Sequence, residues 1–94
     1  MSSDLEKQIK NAAFSTLPTS FKLGLFGSRS KGTQLKFSDV DLVIMGKDKV
    51  PGYILENVRE AMEKSRVPYR VDVVDLNSLS QTFRENVLNE VIWL

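Results

Sequence analysis

Gly27-Ser28-Arg29-Ser30-Lys31-Gly32-Thr33-Gln34-Leu35-Lys36-Phe37-Ser38-Asp39-Val40-Asp41 is the stretch whose reading decides the fold. An apolar segment, Phe21 to Phe26, runs into it. There Phe21, Leu23 and Leu25 alternate on one face while Gly24 interrupts the other, the pattern of a strand, and Gly24 marks a close backbone approach. A second segment, Val40 to Met45, leaves it, nearly all apolar after its two Asp, as expected of a strand covered on both faces. The polar residues between carry two Gly and read as a turn with at most a short helix.

Alternate side chains of a strand share a face roughly 6.6 Å apart, so Asp39 and Asp41 are expected to point the same way. Two carboxylates beside a small-residue turn suit a divalent cation holding a phosphate. Mg²⁺ prefers oxygen ligands and takes one or two carboxylates together with substrate phosphates. If Ser28 to Lys31 begin a helical turn, their free backbone N–H groups and the positive helix end favour an anion, which makes Gly27 and Ser28 the candidate phosphate cradle. The everyday alternatives are a tight turn with Ser28 as an N-cap and a solvated strand end carrying two Asp. Arg29 and Lys31 either add charge near the phosphates or are simply solvated.

The rest of the chain reads as support for this unit. Before it, Leu5, Ile9, Ala12, Ala13 and Leu17 form the apolar face of a helix from Asp4, capped by Ser2 or Ser3 and stopped by Pro18. After it, Gly46 to Gly52 is a loop. Pro51 suits a first helical position, and Ile54, Leu55, Val58, Ala61 and Met62 follow at helical spacing in a helix that ends by Val67-Pro68. Its solvated face holds Glu60 and Lys64, one turn apart and of opposite charge. Tyr69 to Val74 is the third strand. Ser78 with Gln81 forms a capping box for a last helix bearing Leu79, Phe83, Val87 and Leu88. The apolar end at Trp93 and Leu94 reads either as an edge strand closing the core or as an interface. The order helix, strand, turn, strand, helix, strand, helix predicts an α/β (α+β) fold: a small mixed sheet with helices packed in a single layer, one edge left open.

Asp72 interrupts the third strand. An unpaired buried carboxylate there would cost several kcal/mol, so something is expected to compensate it. Either Arg70, two residues away on the same face, pairs with it, or Asp72 joins Asp39 and Asp41 around shared cations. Asp75, at the strand end and on the opposite face, is better placed to cap or turn.

Composition narrows the chemistry. The 94 residues are expected to form one domain, 1–94, since so short a chain cannot support two cores. Thirteen Lys and Arg against twelve Asp and Glu give a charge of +1, which argues against a general grip on nucleic acid. There is no Cys and no His, so thiol nucleophiles, thiolate zinc sites and the commonest general base are excluded, leaving carboxylates for acid–base and metal chemistry. No apolar run is long enough for a bilayer span and Met1 to Lys10 is polar, so a soluble cytoplasmic protein without membrane contact is expected.

The combination Gly27-Ser28, ten residues, Asp39-Val40-Asp41, then Asp72 on a later strand resembles the signature of the nucleotidyltransferase superfamily related to DNA polymerase beta. The small size, with Gly-Ser-Arg-Ser-Lys-Gly followed by Ser-Asp-Val-Asp-Leu, is most similar to the minimal nucleotidyltransferases, or MNT proteins. The resemblance implies the polymerase beta-like fold, and implies that Asp39, Asp41 and Asp72 are catalytic and ligate two Mg²⁺ ions, with Mn²⁺ as a substitute. Asp72 would help deprotonate the acceptor hydroxyl, and Gly27 and Ser28, with Arg29 and Lys31 nearby, would bind the nucleotide. It further implies ATP as donor and a HEPN-domain toxin as partner, onto a tyrosine of which AMP is moved in an antitoxin role. The competing readings are a binding module that neutralises its partner by contact alone, and transfer to a small molecule or an RNA end. Oligomerisation or a bound partner is expected to close the open edge.

Overall fold

The computed structural model describes residues 3–26, 39–67 and 70–94. In chain order these form α1 (Ser3–Phe14), β1 (Lys22–Phe26), β2 (Asp39–Met45), α2 (Gly52–Lys64), β3 (Arg70–Asp75), a 3₁₀ turn (Leu76–Ser78), α3 (Gln81–Glu90) and β4 (Ile92–Trp93). The sheet order among the described residues is β3-β2-β1-β4. β1 runs antiparallel to both β2 and β4, whereas β2 and β3 are parallel and joined through α2. A parallel pair needs such a crossover, and a helix is its usual form. The mixed α/β sheet expected from the sequence is therefore present.

Strand alternation decides what each face buries. Leu23 and Leu25 of β1, Val40, Leu42 and Ile44 of β2 and Val73 of β3 are all buried and pack with Ile9, Ala13 and Leu17 from α1 and the turn after it, and with Ile54, Val58 and Met62 of α2. The opposite face carries a smaller core of Val43, Leu76 and Val87, flanked by Phe26, Met45 and Val91. Because Val87 belongs to α3, helices lie on both faces of the sheet, which corrects the expectation of a single helical layer. It also explains why β2 is apolar at consecutive positions.

Helix ends follow local chemistry. α1 stops at Phe14, short of Pro18, and the chain tightens through a bond from the Leu17 N–H to the Ala13 carbonyl at 2.9 Å. Pro51 occupies the N-cap position of α2, one residue before the helix proper. Glu60 and Lys64 meet at 2.7 Å on its exposed face, where the Lys64 ammonium holds the Glu60 carboxyl below its ordinary value and is itself raised. The capping box read at Ser78 is displaced by two residues. Ser80 caps α3, its hydroxyl accepting from the Phe83 N–H at 3.3 Å, while the Ser78 hydroxyl donates to the Asp75 carbonyl at 2.8 Å. Of the apolar residues read on that helix, Val87 is buried while Phe83 and Leu88 are exposed.

Ile92 and Trp93 form the edge strand anticipated at the apolar end, in register with Leu25 and Gly24. The close approach expected at Gly24 is here: a Cβ would collide with Val91 Cγ2 and come within 3.0 Å of the Trp93 ring. The Lys22 ammonium lies 5.9 Å from the centre of that ring, within the range of a cation–π contact. No helix among the described residues is long and apolar enough to cross a membrane.

Candidate active site

Register places the acidic residues. In the β2–β3 pair, Asp39 stands beside Arg70, Asp41 beside Asp72 and Val43 beside Val74. Neighbouring parallel strands lie about 4.8 Å apart and matched residues project to the same side. Val40 and Leu42, which flank Asp41, and Val73, which follows Asp72, are buried on the α1–α2 face. Asp41 and Asp72 therefore share the other face, the one on which Val43 and Val87 pack. The α3 cover ends between Val43, which is fully buried, and Asp41, which is half-buried, and Asp72 next to it is exposed. The pair stands at the rim of the smaller core, open to a ligand.

The expectation that Asp72 is a buried carboxylate needing compensation is thus corrected. Among the described residues no ion pair joins it to Arg70, and both are exposed on the same strand face. The buried carboxylate of this strand is Asp75, only 3% exposed. Its oxygens accept from the Val50 N–H at 2.8 Å and from the Asn77 N–H at 3.0 Å, which anchors the loop into α2 and caps the 3₁₀ turn, the capping role read for it from parity. Gly27, Ser28, Arg29 and Lys31 lie outside the described residues, as does the side chain of Asp39. The expected set of Asp39, Asp41 and Asp72 thus includes a side chain outside the described residues, and among the described residues no group of three or more metal-ligating side chains is clustered.

Residues 7–94 match the family described as polymerase beta nucleotidyltransferase. The chain belongs to that family. It is similar to the probable protein adenylyltransferase MntA of Haemophilus influenzae, with 34% identity over 80 residues, covering 85% of this chain and 70% of that one. Among solved structures it is similar to a toxin–antitoxin assembly with AMP-PNP, at a TM-score of 0.77 and 26% identity over 94% of this chain and 70% of the other. The fold is also that of the complex of a tri-AMPylated HEPN toxin from Shewanella oneidensis with its MNT antitoxin, at a TM-score of 0.73 and 22% identity, covering 99% of this chain and 71% of the other.

Nucleotidyltransferases of this family generally use a divalent metal. The donor set of this nucleotidyltransferase fits one. Asp41 and Asp72 bring two carboxylates side by side on adjacent strands, and their oxygens are the ligands that hard divalent cations prefer. On the other side of Asp41, its register partner on β1 is Phe26. The Phe26 ring meets Phe83 of α3 edge-on, with centroids 6.1 Å apart and planes at 65°. These rings, with Asn86, Asn89 and Glu90, line an open cavity of about 320 Å³. Sequence reasoning placed Phe83 on the last helix and missed this cavity. The signal that could have found it was the i, i+3, i+6 spacing of Phe83, Asn86 and Asn89, which sets two amides in line with the ring on one side of α3.

Proposed function

We propose that this nucleotidyltransferase is a protein adenylyltransferase that moves AMP from ATP to a hydroxyl, a tyrosine of a HEPN-type toxin, and so acts as the antitoxin of a pair. The observation that carries the reading is the register match of Asp41 with Asp72 on one open sheet face. The likeness to a probable protein adenylyltransferase and to MNT–HEPN assemblies supports it. The whole chain, 1–94, acts as a single domain in this reading.

Asp39, Asp41 and Asp72 would hold two Mg²⁺ ions, with Mn²⁺ able to replace them. When bound, such ions neutralise the triphosphate and stabilise charge on the attacking and leaving oxygens. The acceptor oxygen forms a bond to the α-phosphorus as the bond from that phosphorus to the pyrophosphate oxygen breaks. Asp72, the more exposed member of the matched pair, accepts the hydroxyl proton and passes it to solvent. Gly27 and Ser28 offer the triphosphate backbone N–H groups, and Arg29 and Lys31 add positive charge beside it. The chain has no His to serve as base, and a carboxylate is the chemically available substitute.

The test is co-expression with a HEPN-type toxin, followed by intact mass measurement of that partner. The parent is expected to add AMP and Asp41→Asn to reduce the addition by orders of magnitude, because removal of a metal ligand strips the charge stabilisation on which phosphoryl-type transfer depends. An unmodified partner that is still neutralised by the parent would establish inhibition by contact instead.

A further inference from the structure

The sheet edge on the side away from the carboxylate pair carries cations on both of its faces. Among the described residues β4 is the outermost strand there, and it pairs with β1. Leu23 and Leu25 point into the α1–α2 core, so Lys22 and Gly24, one step out of phase, project to the other face. On that face the Lys22 ammonium lies 5.9 Å from the Trp93 ring, which packs over Gly24. On the first face Leu94 packs at the margin of the core, and Lys7 and Lys10, one turn apart on α1, line an open cavity of about 270 Å³ with Glu6, Trp93 and Leu94. All three lysines are exposed, and no ion pair among the described residues engages them. Trp93 itself is 40% exposed. The Leu94 N–H donates to the Leu23 carbonyl at 2.8 Å, and strand alternation then turns the Trp93 N–H and C=O away from β1, toward the open edge.

We propose that this edge takes an acidic, extended segment of a protein partner, laid beside β4 as a further strand. A strand sends alternate side chains to opposite faces, so such a segment meets Lys7 and Lys10 on one side and Lys22 with Trp93 on the other, while its main chain pairs with the outward groups of Trp93. Lysines at a sheet edge ordinarily discourage pairing. Against carboxylates the same charges attract, and three cations outnumber the one acid, Glu6, beside them. A second copy of this chain does not fit, because its own β4 edge would bring the same lysines opposite. A long polyanion such as RNA finds a chain whose net charge is only +1. The proposal is independent of nucleotide transfer, since Asp41 and Asp72 lie on β2 and β3 with β1 between them and β4.

Trp93 is the chain's single tryptophan, so its fluorescence reports binding at this edge directly. The probes are a short synthetic peptide repeating Glu-Glu-Val-Val, which sets Glu on both faces of a strand, a Lys-Lys-Val-Val counterpart, a Glu-Glu-Pro-Pro peptide of equal charge that cannot donate to a ladder, and an oligouridylate RNA. The Glu-Val peptide is expected to change the fluorescence saturably, with an affinity that falls as salt is raised, and the Lys-Val peptide to leave it unchanged. Lys7→Glu combined with Lys10→Glu should weaken the Glu-Val peptide about tenfold, and Lys22→Glu about threefold or more. Circular dichroism melting of each variant checks the fold, which substitution of exposed lysines leaves intact. Failure of the parent to respond to the Glu-Val peptide, or reversals that leave its affinity within about twofold, would overturn the proposal. Equal binding of the Glu-Pro peptide would replace strand addition by charge contact alone, and RNA binding as tight as that of the Glu-Val peptide would replace it by a general anion patch; either result refutes the proposal as stated.

Discussion

Asp72 and Asp75 lie three residues apart on one strand and are expected to respond to substitution in opposite ways. Asp75 is buried and accepts from two backbone N–H groups, those of Val50 and Asn77. A hydrogen bond to a charged acceptor contributes about 1.5–3 kcal/mol, and a buried N–H left without a partner costs about 1–3 kcal/mol. Val50 is itself buried, so water cannot easily replace the lost oxygen at its N–H. Asp75→Ala should therefore lose about 3–5 kcal/mol. A domain of this size has a total stability of roughly 5–14 kcal/mol, and each kcal/mol moves Tm by about 4–8 °C. The expected fall is about 12 °C or more. Asp75→Asn keeps one oxygen and should fall by about half as much. Asp72 is exposed beside a like charge, so Asp72→Asn should leave Tm unchanged or slightly raised in EDTA, within about 0.5 kcal/mol of the parent. Nucleotide transfer should show the reverse order, with Asp72→Asn inactive and Asp75→Asn active at temperatures where it is folded. Thermal unfolding followed by circular dichroism in EDTA, with a transfer assay in Mg²⁺, measures both. A drop in Tm for Asp72→Asn matching that of Asp75→Asn would refute the assignment of Asp72 to the site.

Two further outcomes can be checked with the same preparations. Gly24→Ala places a methyl group against Val91 and the Trp93 ring, so it should push β4 from the sheet edge at a cost of about 1–3 kcal/mol, read as a lower Tm with altered tryptophan fluorescence. ATP should bind far more weakly in EDTA than in Mg²⁺ because the carboxylates of the site repel a bare triphosphate, and equal calorimetric affinities in the two buffers would refute that electrostatic account.

Much of the fold was legible because period and punctuation agree along the chain. Leu23 and Leu25 flanking Gly24, the apolar run after Asp41, and the Ile54, Val58, Met62 spacing each specify an element and the face it buries, and all appear as read. What sequence did not disclose depended on which surfaces meet in space. Whether Asp72 is buried is decided by where α3 ends over the sheet, and α3 reaches Val43 through Val87 but stops short of the carboxylates. The true cap of α3 was obscured because Ser78 and Ser80 have the same chemistry two residues apart, and Ser78 belongs to a 3₁₀ turn capped by Asp75, whose side chain also accepts from the Val50 N–H. The aromatic cavity was hidden for a similar reason: an exposed Phe and a core Phe look alike at helical spacing.

The same register that closes the core also assembles the site. Val71 and Val73 face α1 and α2 along with Val40, Leu42 and Ile44, and that parity sends Asp72 to the side of Asp41 and Asp75 to the side of Val50. A slip of one residue between β2 and β3 with β3 turned over would bury Asp72, expose Val73, and take the Asp75 carboxylate from both N–H groups it serves. Burying an unpaired carboxylate alone costs several kcal/mol, a large share of the stability of a domain this small. Alternative registers are therefore depopulated by apolar and polar contacts that never touch a substrate. Asp41 and Asp72 remain adjacent although their mutual repulsion opposes it, because the core beneath them outweighs that repulsion. A cation held at the matched pair would then have little backbone ordering left to impose, and its binding free energy would go to holding a phosphate rather than to organising the strands that present its ligands.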